Sequence, residues 1–480
     1  ACRTACVYLY AFVYTKEELE SRVRRIASAG KLSRFPGNVF EVVQSCNDTE
    51  KNIKLIKRII GMGHKSIIEH DYLVFALCDV TPIVEQTIIG YRLTSFTIKS
   101  RREVDFRNVG FYIPEFRDKN GNVHKNNDIL KEKYSKHMKY LFNTYGDIVD
   151  HGINVEDARF VLPYSFYGNI IMGLDVRELE KLTVSLLAGT LSKIAELKEL
   201  GNAFYHIIKE YVPYLVDSLE KELERTSSET PFTSLEKVYP RPNISIIDKP
   251  TLISHTPIPD EVILESSIMY HYQCTNKMAK NILAEIEKTE PKFRENLMDT
   301  ILHKEERREL EQVQFTFQIP ISLSILTHLT RHRMHSLLIP EFLPMWDLHN
   351  FITPATISAN EFCIKLYHEA IEKNIKVLEE FKKLEIMEED LIYFYLGCQM
   401  LNVMTTINGR TAQWICRLRC CNKAQWQIRN IAKEMAKQIK EVSPLFGKGL
   451  GATCVTDFIC NEGKECCGLI QSLLNQNNGK

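Results

Sequence analysis

The chain has no excess of either charge: 61 Lys and Arg are matched by 61 Asp and Glu, a formal net charge of +0. With no global field to draw in nucleic acid or an anionic membrane, any anionic ligand has to be met by a local cluster. Long hydrophobic runs are missing as well. The apolar stretch Ala5 to Tyr14 is too short to span a bilayer. It lacks a basic n-region and a small-residue cleavage pattern, and so predicts a buried strand rather than a signal peptide. No Cys-x-x-Cys pair occurs among Cys454, Cys460, Cys466 and Cys467, although such a pair usually marks a structural zinc site. The 14 cysteines fall at irregular spacings. That pattern predicts reduced thiols in a cytoplasmic protein, with no metal and no common role for the carboxyl-terminal set.

What is present is enough for two domains. At 480 residues, 44% hydrophobic and 25% charged, the chain suits two cores of about 200 residues each. Between Thr226 and Pro259 stand Pro231, Pro240, Pro242, Pro250, Pro257 and Pro259. Prolines at that density exclude long helices and predict a linker over 226–259, between a repeat at 1–225 and another at 260–480. Glu196 to Glu224 reads as helix broken near Pro213. Asp260 to Glu290 resumes a helical period through Val262, Ile263, Ser266, Met269 and Tyr270.

The halves repeat one order of elements. An alternating apolar segment (Tyr72 to Leu77; Val313 to Ile319) leads to a proline, Pro82 or Pro320. Proline costs no hydrogen bond at the first helical turn, so both predict helix starts. A signature then follows: Tyr91-Arg92-Leu93-Thr94-Ser95 in one half, Arg331-His332-Arg333-Met334-His335-Ser336 in the other, with Arg92 and Arg333 offset by 333 − 92 = 241. Leu130, Tyr134, Met138, Leu141, Tyr145 and Ile148 trace an amphipathic helix, whose counterpart is the run from Phe362 to Leu384. Glu156-Asp157 and Arg177 recur as Glu389-Asp390 and Arg410 at an offset of 233. The expected fold is therefore two tandem α+β units, helix-rich.

Several clusters carry possible chemistry. Arg331 and Arg333 repel one another unless an anion lies between them, and a guanidinium offers phosphate a rigid fork. His328, His332 and His335 flank them at helical spacing. A zinc reading there lacks a third ligand, and a solvated basic face is the plain alternative. Ser100 and Arg102 would face one ligand if their segment is extended. His64-Lys65-Ser66-Ile67-Ile68-Glu69-His70 follows Gly61-Met62-Gly63, a turn ending the helix Lys51 to Ile60. Ser66 and Glu69 have capping-box spacing, and a capped helix start also attracts phosphate. Arg159 and Arg419 are set among apolar residues, where a cation needs an internal partner or a ligand.

In their shared order these segments resemble the flavin-dependent thymidylate synthases. That family's hallmark is Arg-His-Arg, seven residues, then Ser-x-Arg, preceded by Gly-His-x-Ser/Thr-x-x-Glu-His. The first half matches the preceding motif at Gly63-His64 to Glu69-His70, and then Arg92, Ser100 and Arg102, but has Gly90-Tyr91 for Arg-His. The second half matches Arg331-His332-Arg333 and has Glu341 and Leu343 for the Ser and Arg. Thr406 to Arg410 and Leu418-Arg419 to Gln425-Trp426 match late family segments. The first-half counterparts of Asn408 and Arg419 are Asp175 and Leu186, while Arg159 has Ile392 as its own counterpart. Thr97-Ile98 and Leu338-Ile339 replace the family's Asn-Glu, and His328 stands where the family often has Gln.

The resemblance implies a homodimer imitating that family's homotetramer, with composite sites shared between repeats. It implies FAD held by His64, Ser66, Glu69, Arg331, His332, Arg333 and Asn408. It places a pyrimidine nucleotide against Arg92, Ser100, Arg102, Arg159, His328 and Arg419, with Arg419, His64 and Ser100 in catalytic roles. The implied reaction is reductive methylation of dUMP, with methylenetetrahydrofolate and NADPH as co-substrates. Methylation of another pyrimidine nucleotide, a non-catalytic FAD- or nucleotide-binding protein, and a structural oligomer with basic patches are the competing readings.

Overall fold

The structure, a computed structural model, describes residues 6–9, 16–227, 238–239, 245–340 and 348–478. It contains two four-stranded antiparallel sheets of one design. In the first, β1 (Cys6–Leu9), β2 (Tyr72–Val80), β3 (Ser95–Ile98) and β4 (Gly168–Asp175) lie in the order β1-β2-β4-β3. In the second, β5 (Thr251–His255), β6 (Gln314–Ser322), β7 (Ser336–Leu338) and β8 (Met400–Asn408) lie in the order β5-β6-β8-β7.

Even the register is duplicated. Ser95 faces Gly173 and Ser336 faces Thr406, so the paired residues keep the offsets 336 − 95 = 241 and 406 − 173 = 233. Strand starts differ: Tyr72 faces Asp175 and Gln314 faces Asn408, an offset of 314 − 72 = 242. The first copy thus carries one extra residue before its signature. It sits where the β2–β4 register shifts between Leu77 and Val80, with Asp79 at φ +54°. A β-bulge absorbs one residue in this way and leaves the rest of the strand in register.

The chain divides into two compact units. The first comprises 1–244, 342–348 and 353–397; the second comprises 245–341, 349–352 and 398–480. In the first unit Leu73, Phe75 and Leu77 point into the core, and Phe75 meets Phe204 edge-on at 5.2 Å. Helix Asn127–Asp150 packs along Glu361–Lys382, the corresponding helix of the second repeat. His137 Nε2 and Asn374 Oδ1 lie 2.8 Å apart in that seam. Nearby, Pro163 and Leu396 form an antiparallel bridge, and they are equivalent residues (396 − 163 = 233). Tyr164 N–H donates to the Tyr395 carbonyl at 2.7 Å, and Gly397 N–H donates to the Leu162 carbonyl at 3.0 Å. The offset of 233 interchanges these two bonds, so the segments meet about a local two-fold.

In the second unit Phe315, Phe317, Ile319 and Ile321 form the buried face of β6, and Phe315 stacks on Phe446 at 5.9 Å. Among the described residues no helix is long and apolar enough to cross a membrane.

Two expectations are corrected here. Pro82 does begin a helix, Pro82–Ile89, but Pro320 lies inside β6 and the helix starts at Leu323. The β5 pairing ends at Gln318, so Pro320 lies where its missing N–H leaves no β5 bond unmade. The proline-rich stretch is also shorter than predicted as a linker, because Thr251–His255 is a sheet strand and Pro259 opens the helix Pro259–Tyr272. Pro231, Pro240 and Pro242 lie outside the described residues, as do most of Ala5 to Tyr14, whose Cys6–Leu9 is strand.

Candidate functional site

In the first unit three guanidiniums gather at the end of β3. The segment carrying Ser100 is a turn rather than extended: Val104 N–H donates to the Ser100 carbonyl and Arg102 N–H donates to Ser100 Oγ, each at 3.2 Å. This corrects the expectation that Ser100 and Arg102 share a face by alternation. Arg102 instead forms an ion pair with Glu156. Arg101 is buried in a bidentate pair with Glu85 at 2.8 and 3.0 Å and lies 5.2 Å over the Phe166 ring. Arg159, only 4% exposed, donates from Nε to the Glu156 carbonyl at 3.0 Å. Burial and then the Arg101 charge push Arg159 down to about 9, with Glu156 pulling the other way. It stays cationic at neutral pH, in surroundings that reward a further anion. Arg92 is exposed in the turn between Pro82–Ile89 and β3.

His64, Ser66 and Glu69 belong to a separate segment, the turn between helix Thr49–Gly61 and β2. Gly63 takes φ +89° after the helix Thr49–Gly61, the turn predicted there. The expected capping box is absent: Lys65–His70 is a 3-10 turn without a side-chain cap. Glu69 pairs with Arg177 at the start of helix Val176–Leu187. His64 and Ser66 border a cavity of about 900 Å³. Leu55, Ile59 and Ile67 give it an apolar wall, and Lys31, Arg34 and Arg58 add positive charge.

The second unit builds its cluster on helix Gly409–Arg419, capped by Asn408, whose side chain accepts from Thr411 N–H at 2.8 Å. Arg419, at the end of that helix, donates from Nε to His332 Nε2 at 3.0 Å and from a terminal nitrogen to the His328 carbonyl at 3.2 Å. Burial first, then Arg419 and His335, push His332 down to about 3. The imidazole is therefore neutral and presents a lone pair to the guanidinium. His328 is buried in helix Leu323–Thr330, and His335 Nδ1 lies 2.7 Å from Thr405 Oγ1. Arg331 is exposed and Arg333 half-buried in the turn that follows that helix. Glu341 and Leu343 lie outside the described residues.

In the first unit the place of His332 is taken by Tyr91, which hydrogen-bonds with Ser185 and is raised by burial. Ser185 adjoins Leu186, the counterpart of Arg419 (419 − 186 = 233). The imidazole–guanidinium pair of one repeat thus corresponds to an aromatic and an aliphatic residue in the other.

Sequence reasoning missed the Arg101–Glu85 pair and the cations around the cavity. A carboxylate inside the apolar run Pro82-Ile83-Val84-Glu85 was an available signal for the first, since buried Glu is rarely unpaired. Nothing in the spacing of Lys31, Arg34 and Arg58 pointed to a shared cavity.

The sequence pattern of the family described as thymidylate synthase complementing protein matches residues 16–214 and 251–445. A flavin-dependent thymidylate synthase of Clostridium tetani is 29% identical over 240 residues, 46% of this chain and 93% of the relative. One from Pyrococcus furiosus is 32% identical over 171 residues, 35% of this chain and 65% of the relative. Among solved structures, the UMP/dUMP methylase PolB from Streptomyces cacaoi, bound with 5-Br dUMP, aligns at 18% identity with a TM-score of 0.37. That alignment covers 48% of this chain and 99% of the other. Two separate matches, one in each repeat and together spanning most of the chain, show that it belongs to the thymidylate synthase complementing protein family in tandem-duplicated form.

Proposed function

We propose that this chain is a flavin-dependent enzyme that methylates dUMP, with methylenetetrahydrofolate as carbon donor and NADPH as reductant. The observation that carries the reading is the convergence of Ser100, Arg101, Arg102 and Arg159 in one unit. A dianionic phosphate favours at least two guanidiniums, and the buried Arg159 gains most from such a ligand. The arrangement of Arg419 supports a second role. His332 and the His328 carbonyl fix it before any substrate arrives, as stabilisation of charge developing on a pyrimidine ring requires.

The residues present fit a flavin. The cavity beside His64 lies in the range of ligand sites, and it combines an apolar wall with cations suited to a ring system and a diphosphate. Lys31, Arg34, Arg58, His64 and Ser66 would hold FAD there, with Arg331 and Arg333 contributed by the second chain of a homodimer. FAD supplies hydride chemistry when bound; the protein binds, orients and shields it. The local two-fold at Pro163 and Leu396 supports the pairing of the two repeats within one chain, and a homodimer of such chains would be equivalent to four repeats.

A yellow preparation with flavin absorbance, and tritium release from dUMP labelled at C5 in the presence of the folate and NADPH, test the proposal. Flavin without tritium release would favour a non-catalytic flavin- and nucleotide-binding protein. The replacement of the family's Asn-Glu by Thr97-Ile98 and Leu338-Ile339 is the observation on that side.

A further inference from the structure

Arg101 and Glu85 form a buried ion pair that the repeated fold does not need. Their side chains are 9% and 4% exposed. Each terminal nitrogen of the guanidinium donates to the carboxylate, at 2.8 and 3.0 Å. Taking two charges out of water costs on the order of several kcal/mol per ion, and packed apolar residues of similar volume are often as stable or more so. The second repeat has apolar residues instead. At the offset of 241, Leu326 stands for Glu85 and Phe342 for Arg101. Leu326 is fully buried in helix Leu323–Thr330, which matches Pro82–Ile89 residue for residue at that offset. One copy thus builds this helix without the carboxylate, so the ion pair in the other calls for a reason beyond stability.

What the pair touches supplies the reason. Glu85 rides on a helix whose start is firmly held. Thr81 caps it by accepting from Ile83 N–H at 3.2 Å, and the buried Glu196 accepts from Thr81 N–H at 3.0 Å and its hydroxyl at 2.6 Å. Arg101 also lies 5.2 Å over the Phe166 ring, and Phe166 meets Phe106 edge-on at 5.4 Å. Arg101 is the middle residue of Ser100-Arg101-Arg102, whose own turn is held loosely. The bonds to Ser100 from Val104 N–H and Arg102 N–H are both 3.2 Å, the long end of the ordinary range. The bidentate, charge-assisted pair is the strong tie. Where Leu326 and Phe342 replace the pair, Glu341 and Leu343 replace Ser100 and Arg102. Ion pair and Ser-x-Arg are present together in one repeat and replaced together in the other.

We propose that Arg101 is a positioning residue: gripped by Glu85, it fixes the turn that presents Ser100 and Arg102 to a nucleotide phosphate. This rests on the reading of the Ser100 cluster as a phosphate site, and it divides the labour there. Arg102 and Arg159 are the guanidiniums offered to the phosphate, and Arg101 holds their turn. A turn left loose would have to be ordered when the ligand arrives, and that ordering subtracts from affinity.

The test transplants the second repeat's residues into the first, Glu85→Leu together with Arg101→Phe, in the full chain. Melting should match the parent's, because an apolar pair replaces an ionic one. The dUMP dissociation constant, measured by calorimetry, should rise roughly tenfold or more, the loss expected when a hydrogen bond to a charged group is loosened. In tritium release the KM for dUMP should rise by a like factor while kcat holds, since the phosphate is remote from the reacting ring carbon. A purely structural pair would move the melting point and leave that split unmoved. Arg101→Lys keeps the charge and loses the fork. It should fall between parent and double variant, and it decides the matter if the double variant fails to fold. Weakened dUMP binding with parental melting supports the proposal, and parental binding overturns it. A double variant that binds dUMP within about twofold of the parent overturns it too. Deoxyuridine separates the two ways of failing. An unaltered chain that binds it as tightly as dUMP has no phosphate grip, which sinks the reading beneath the proposal. A phosphate preference kept in full by the double variant sinks the proposal alone.

Discussion

Acidification should destabilise the second unit through His332. Burial, Arg419 and His335 hold its imidazole down to about 3, against an ordinary 6.5, and unfolding restores the ordinary value. Below 6.5 the unfolded chain therefore binds more protons than the folded one. The contribution to stability is complete above 6.5 and is lost as pH falls toward the folded value. At pH 5.5, one unit below the ordinary value, the loss is about 1.4 kcal/mol. Urea unfolding at pH 7.5 and 5.5, followed by tryptophan fluorescence, measures it, since Trp414 and Trp426 both belong to this unit. His332→Gln keeps an acceptor for Arg419 but cannot titrate. Other histidines titrate in both proteins and cancel in the difference. The variant should lose about 1.4 kcal/mol of the pH dependence; a dependence matching the parent's to within about 0.3 kcal/mol would refute the buried, neutral imidazole.

Three further outcomes are expected. His64→Ala and Arg331→Ala should each lose flavin, while a mixture refolded together should regain part of it. In a mixed dimer one site would then receive both intact side chains, and flavin fluorescence after gel filtration measures the recovery. Asp71→Ala should lower the stability of the first unit by roughly 3–5 kcal/mol. It removes a fully buried carboxylate that accepts from Arg22 at 2.6 and 2.8 Å and pairs with Tyr214, and thermal unfolding by circular dichroism checks it. Glu196 is raised to about 7, chiefly by burial, although Thr81 and Tyr393 hydrogen-bond it. Stability of the first unit should fall as pH rises from 4.5 through 7, by about 3 kcal/mol in all, and melts of Glu196→Gln should show no such decline.

The repeat was legible because duplication leaves a periodic record that no single element has to carry. Offsets of 241 and 233 recur as strand register, and the amphipathic run through Tyr134 and Met138 is the long helix. Pro320 misled because a proline before a helix and a proline near the end of a strand read alike in sequence; what separates them is whether a neighbouring strand needs the missing N–H. Ser66 and Glu69 misled for a related reason, since capping-box spacing says nothing of whether the following turn is α or 3-10. Glu69 then serves Arg177, as Glu311 serves Arg410 at 2.7 Å in the other repeat. The Arg101–Glu85 pair was hidden because its members are 16 residues apart on different elements, a separation at which spacing carries no signal.

The imidazole and guanidinium missing from the first repeat are better explained as a paired loss than as scattered drift. A guanidinium at the end of helix Gly409–Arg419 is tolerable because a neutral His332 and a carbonyl accept its protons. Taking away the imidazole alone would leave that arginine short of an acceptor, and taking away the arginine alone would leave a buried ring nitrogen bare. Either half-step carries a penalty of about 1–3 kcal/mol. The first repeat has neither: Tyr91 reaches Ser185, and Leu186 needs no partner. It has kept Arg159 with Glu156, where the second repeat has Ile392 with Glu389. The first repeat has therefore replaced the imidazole–guanidinium pair as a unit, whereas the second has lost the guanidinium of the other arrangement and kept its carboxylate, Glu389. Glu389 is half-buried and stays solvated without a guanidinium beside it, whereas a buried imidazole would be left with a bare ring nitrogen, so local physics forbids the half-step only for the imidazole–guanidinium pair.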